Sequence, residues 1–160
     1  MKILYILRHA KASPKNLPID DFYRPLYDKG IADADKTGML LKSMNCKIDK
    51  IISSPASRAI ATAIAVAKKI DYDEKNIVQE DSFYEAYAED LLEYLRNIKS
   101  YENSILIAGH NPSLTNLASM VCKKFTTDMA TGSVVCIHFN CDNWSEISSK
   151  NSELIFYIEP

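Results

Sequence analysis

The sequence predicts an α/β domain built on a largely parallel sheet. Short apolar runs of strand length alternate with longer stretches of helical spacing. The first run, Lys2 to Leu7, is apolar without alternation, as a strand covered on both faces should be. Only the last two β-rich segments follow one another without a helix between them.

The elements follow in order. After the opening strand, residues Ile31 to Met44 carry helical spacing, with Ile31, Ala34, Leu40, Leu41 and Met44 available for one face. Lys50 to Ser53 is a second strand. Ser54 and Pro55 then resemble an N-cap with proline at the first helical position, ahead of an Ala-rich helix from Ala59 to Ile70. Ile77 to Gln79 is a short third strand, and Asp90 to Ile98 an amphipathic helix with Leu91, Leu92 and Leu95 on one side. Ser104 to Ala108 is a buried strand. Asn111 and Pro112 repeat the cap-plus-proline pattern before a helix over Ser113 to Cys122. Ser133 to Phe139 and Glu153 to Ile158 form a hairpin or neighbouring strands at one side of the sheet. With no repeat, linker or low-complexity tract, residues 1–160 read as one domain.

Composition narrows the function. The hydrophobic share of 47% and charged share of 25% are those of a water-soluble globular chain. A net charge of −2 gives no basic footprint for nucleic acid or an anionic membrane. The four cysteines show neither a CxxC pair nor a histidine partner at metal-ligand spacing, so they read as reduced thiols. The apolar run Ile3 to Leu7 is too short for a signal-peptide core, and no stretch approaches a membrane span, so a cytoplasmic location is expected.

Three polar clusters stand where a predicted strand gives way to a turn: Arg8-His9, Ser53-Ser54-Pro55 with Arg58, and Gly109-His110-Asn111-Pro112. Ligands of open α/β sheets bind beyond the carboxyl ends of the strands. Parallel strands would therefore bring two arginines and two histidines to one crevice. Taken singly, each is an ordinary residue in an ordinary place; the shared position is what points to a site. Arginine meets phosphate oxygens with a planar fork of donors and stays charged. Helix N-termini near Ser54 and Asn111 would aim N–H groups at the same anion. A neutral histidine with one nitrogen deprotonated is a competent phosphoryl acceptor, and nearby arginines would lower its pKa. His9 is the expected nucleophile and His110 a hydrogen-bond donor.

These motifs resemble those of a known family. LRHAKAS at Leu7 to Ser13 is similar to the RHG-type signature of the histidine phosphatase (phosphoglycerate mutase-like) superfamily, with Ala10 where that signature usually has glycine. SSPASRAIATA at Ser53 to Ala63 resembles its second arginine motif, and AGHNPSL at Ala108 to Leu114 its second histidine motif. RPLYDKG at Arg24 to Gly30, LIFYIEP at the C-terminal end and the short length resemble the SixA-like phosphohistidine phosphatase branch. The resemblance implies a three-layer α/β/α fold and a phosphatase working through a covalent intermediate on His9. It further implies Arg8, Arg58 and His110 as the phosphate pocket, and neither metal nor cofactor.

Three other residues are candidates. Glu85, in FYEAYAED, matches the acid that members acting on phosphomonoesters carry, and Phe83, Tyr84 and Tyr87 would desolvate it into a proton donor. Its loss should then damage hydrolysis of monoesters, whose alkoxide needs a proton, more than that of phosphohistidine. Arg24 either touches substrate or pairs with Asp20 or Asp21. Ser13 is a candidate hydrogen-bond partner of phosphate. The expected substrate is a phosphorylated protein or a small phosphorylated molecule, protein phosphohistidine foremost. The alternatives are a metabolite phosphatase and a phosphate- or phosphoprotein-binding module that has lost catalysis. An intact His9 argues against the last, since anion binding needs no nucleophile.

Overall fold

A computed structural model describes residues 1–99 and 101–160. Six strands form one sheet: β1 (Lys2–Arg8), β2 (Lys50–Ser53), β3 (Val78–Gln79), β4 (Ser104–Gly109), β5 (Val134–Phe139) and β6 (Ser152–Ile158). Their spatial order is β3-β2-β4-β1-β5-β6. The pairs β3/β2, β2/β4 and β4/β1 are parallel, whereas β5 runs antiparallel to both β1 and β6. The sheet is therefore mostly parallel, and the two C-terminal segments are antiparallel neighbours at one edge.

Four helices cover it: α1 (Asp28–Ser43), α2 (Ser57–Lys69), α3 (Ala88–Asn97) and α4 (Ser113–Val121). Period-2 geometry divides each central strand between two cores. Leu4 and Ile6 of β1, with Ile105 and Ile107 of β4, pack with Leu91, Leu95, Leu114 and Leu117 of α3 and α4. Tyr5 and Leu7, with Leu106 and Ala108, pack with Leu41, Ala63 and Val66 of α1 and α2. The result is three layers, α/β/α. Each fully buried Leu or Ile contributes about 1.5–3 kcal/mol relative to exposure, and the central strands supply most of them. No helix among the described residues is long and apolar enough to cross a membrane.

Two local expectations change. The buried face of α1 is made of Gly30, Ala34, Thr37, Gly38 and Leu41, while Ile31 and Met44 are exposed. The small residues win because the backbone comes close: a Cβ on Gly38 would stand 3.1 Å from the Val66 Cα of α2. Neither proline pair works as a cap and first helical residue. α2 begins at Ser57 after Ala56, three residues past Ser54, and α4 at Ser113 after Pro112, where Asn111 Oδ1 still accepts from Thr115 N–H in the first turn. Ser54 and Asn111 have other partners, described below.

Candidate active site

The parallel strands β1, β2 and β4 end on the same side of the sheet, and their carboxyl ends carry the chemistry. Arg8 closes β1, with His9 directly after it. His110 follows β4, and Arg58 stands in the first turn of α2. The Arg8-His9 peptide is gripped from both sides, since Arg8 N–H donates to Ser133 O (3.0 Å) and His9 N–H to Gly109 O (3.0 Å). From the far side Gly132 N–H donates to His9 O at 3.0 Å; its φ of 76° lies in the left-handed region that favours glycine. Ala10 is fully buried, and its N–H donates to Thr62 Oγ1 (2.9 Å), whose hydroxyl bonds Arg58 O (2.7 Å). It does not occupy the positive-φ region, so alanine suits this place without strain.

One cavity of about 290 Å3 gathers Arg8, His9, Lys11, Ala12, Lys15, Arg24, Arg58, His110, Asn111 and Thr131. The rings of His9 and His110 are 5.3 Å apart. His9 Nδ1 lies 2.8 Å from Ala10 O, and a carbonyl can only accept, so Nδ1 carries the proton and Nε2 keeps its lone pair. His110 Nε2 lies 2.8 Å from Ser54 Oγ, leaving its buried Nδ1 without a partner. Arg8 is anchored by Nη1 on Met129 O (2.6 Å). Arg58 is anchored by Nη1 on Asp21 O (2.7 Å) and Nη2 on Asp21 Oδ2 (3.0 Å). In both arginines the buried Nε–H has no partner among the described residues. Two guanidinium N–H groups and one imidazole nitrogen thus remain for a polyoxygen anion.

The electrostatics suit a nucleophilic imidazole. Burial, the largest cause, together with the charges of Arg58, Arg8 and Arg24, outweighs the Ala10 carbonyl bond and holds His9 down to about 4. Burial, not arginine repulsion as the sequence suggested, dominates. Burial first, then Arg58 and His9, holds His110 down to about 3. An unfolded histidine titrates near 6.5. Between that value and about 4 the unfolded chain takes up protons that the folded site refuses, so stability falls as pH falls through this window. Both imidazoles are expected to stay neutral at pH 5 in a 15N NMR titration. A midpoint between 6 and 7 for His9 would contradict this electrostatic picture.

Asp21 is the residue the sequence did not single out. Besides both bonds to Arg58, its carboxylate accepts from Arg24 Nη2 (3.2 Å) and from the Tyr84 hydroxyl (2.9 Å). Arg24, itself buried, also donates to Ser13 O at 2.7 Å. Arg24 thus makes the expected pair with Asp21, and it also borders the cavity. Asp20 instead caps the short turn Asp21–Tyr23 through Phe22 N–H at 2.9 Å. Burial pushes Asp21 up, but the Tyr84 hydroxyl and the Arg58 and Arg24 guanidinium groups prevail and bring it to about 2. Its stabilisation is therefore present above about pH 4 and lost as pH falls toward 2. Asp21→Ala is expected to cost about 1–3 kcal/mol, below the figure for a fully buried pair because the carboxylate is half exposed. Thermal unfolding at pH 7 checks this, and the variant's deficit should shrink below pH 3.

Ser13 and Glu85 depart from expectation. The Ser13 hydroxyl is buried without a partner, but Ser13 does not border the cavity. Glu85 is exposed, and it lines a neighbouring cavity with Asp81, Tyr84, Asp90 and Glu93. The short turn Asp81–Phe83 sends Phe83 into the core, and Tyr87 is 75% exposed, so the expected aromatic desolvation of Glu85 does not form. Asn111 braces the rim: its amide donates to Asp128 Oδ1 (3.1 Å) and Met129 O (3.2 Å), and its Oδ1 accepts from Thr115 N–H. Among the described residues, no three His, Cys, Asp or Glu side chains gather as a metal-ligand set.

Known proteins match this arrangement. The profile of the histidine phosphatase superfamily (branch 1) matches residues 4–97. An uncharacterised chloroplastic protein of Arabidopsis thaliana is 35% identical over 126 residues, covering 74% of this chain; the chain spans 58% of that protein's length. A crystal structure from Agrobacterium tumefaciens, provisionally assigned as phosphohistidine phosphatase SixA, superposes with a TM-score of 0.80 at 25% identity, covering 99% of this chain and 98% of that one. The protein histidine phosphatase SixA complexed with tungstate gives a TM-score of 0.82 at 19% identity, covering 99% and 97%. The chain belongs to the histidine phosphatase superfamily.

Proposed function

We propose that this protein is a phosphatase that hydrolyses protein phosphohistidine through a phosphohistidine intermediate on His9. One observation carries the reading: an imidazole of fixed tautomer shares a cavity with arginine N–H donors, and among the described residues no carboxylate borders that cavity. His9 Nε2 attacks phosphorus in line; the new P–N bond forms as the bond to the leaving group breaks. Arg8 and Arg58 hold the charge on the equatorial oxygens, and His110 donates to one of them through the nitrogen not bound to Ser54. Water then attacks the phosphoenzyme, releasing orthophosphate and restoring His9.

The leaving group decides between substrates. An alkoxide must be protonated as it departs, and proton donation by a placed acid contributes roughly 10²–10⁴-fold. An imidazole leaves more readily. A cavity bordered by cations and histidines, with Glu85 turned into the neighbouring one, suits the second. Wild type assayed with EDTA present is expected to prefer a phosphohistidine-carrying protein over an alkyl monoester such as glycerol 2-phosphate by tenfold or more in kcat/KM. Glu85→Gln should change turnover of the phosphohistidine protein by less than about threefold. The opposite substrate preference would overturn the assignment, and a large loss in Glu85→Gln confined to the monoester would return the proton-donor role to that residue.

A further inference from the structure

The charges around the cavity exceed what one phosphoryl group can balance. Five cations border it: Arg8, Arg24, Arg58, Lys11 and Lys15. Asp21, paired with both Arg24 and Arg58, offsets one positive charge. A phosphoryl dianion offsets two more of the three arginine charges. Lys11 and Lys15 remain, and neither forms an ion pair with any described carboxylate.

Lys11 is held in place. Its carbonyl accepts from Tyr27 N–H (3.0 Å), the next residue bridges Leu26, and Ser13 N–H donates to Pro25 O (2.9 Å). The ammonium group stands 5.7 Å from the centre of the Tyr27 ring, which guides the side chain without neutralising it. Lys15 follows on the exposed part of the same loop. Both lysines thus border a cavity already furnished for one phosphoryl group.

From this we infer that Lys11 and Lys15 form a second anion subsite, and that the substrate carries a carboxylate or a second phosphate close to the phosphoryl group that is transferred. The inference rests on the phosphoryl-transfer reading of the cavity. Lysine suits the role as a compact point charge tolerant of varied geometry. Its contribution should weaken as salt rises, because both ammonium groups are exposed.

Calorimetry with four probes tests the subsite: orthophosphate and methylphosphonate carry one anionic group, pyrophosphate and phosphonoacetate two. Wild type should bind the second pair about tenfold tighter than the first. In Lys11→Gln/Lys15→Gln that ratio should fall to about two or less, and in Lys11→Arg/Lys15→Arg it should persist. A preference for pyrophosphate alone assigns the subsite to a second phosphate; a preference for both assigns it to carboxylates as well. If the glutamine variant weakens all four probes by one factor, the subsite does not exist although the phosphoryl site stands. If wild type binds none of them, the phosphoryl reading itself fails.

Discussion

His9→Ala is expected to lower turnover by roughly 10⁴-fold or more, with the fold intact. The magnitude follows from removing the proposed nucleophile. His110 cannot take over while its Nδ1 carries the proton offered to a phosphoryl oxygen and Nε2 accepts from Ser54 Oγ. The side chain of His9 lies outside both cores, so its truncation opens no cavity in either. Rapid quench of wild type with substrate should trap an acid-labile phosphoenzyme that is missing from the variant. Anion affinity should survive in part, because Arg8 and Arg58 keep their anchors on Met129 and Asp21. Substantial turnover by His9→Ala would remove the covalent mechanism.

The second large effect is expected where α1 packs against the loop after His9, at Gly30→Ala. An added Cβ there would lie 2.0 Å from Lys11 O and 2.9 Å from Lys11 C. Both atoms belong to backbone, and that carbonyl is already bonded to Tyr27 N–H, so no side chain can swing aside. Either the first turn of α1 or the loop after His9 must move. Overpacking of this kind costs about 2–4 kcal/mol, or roughly 5–15 °C in Tm for a chain of this size. The loop is the softer partner, so activity should fall even in the molecules that remain folded. An unfolding midpoint within 2 °C of wild type would show that the helix start yields more easily than the geometry implies.

Much of this arrangement was legible in the sequence, and the reason is physical. A buried parallel strand must be apolar on both faces, so β1 and β4 announce themselves, and the polar residues that follow them mark the end of the sheet. Arg8, His9 and His110 are therefore readable from position alone, with Arg58 one step further into α2. What stayed hidden depends on contacts between segments distant in the chain. Asp21 looks like one of two adjacent loop acids until Arg58, 37 residues away, and Tyr84, 63 residues away, turn toward it. A carboxylate three residues before Arg24 was the available signal, and it pointed only to the local pair. Ser54 carries the signature of a helix cap, yet α2 starts three residues later and its hydroxyl meets His110. The face of α1 was misread for a related reason: hydrophobic spacing favours Ile31 and Met44, while close approach to α2 demands Gly38. Glu85 was placed by residue type, but the turn before it determines its direction.

The two depressed imidazoles also fix how the cavity responds to its surroundings. Both are mostly neutral at pH 5 and above, and the guanidinium groups do not titrate in any working range. The empty cavity therefore keeps a nearly constant charge as the solution is acidified from pH 8 to 5. Any pH dependence of affinity in that interval begins with the occupant, through its own oxygens or through the imidazoles that its negative charge would raise. Empty, the cavity carries no proton sensor at its centre; it gains one only with a visitor.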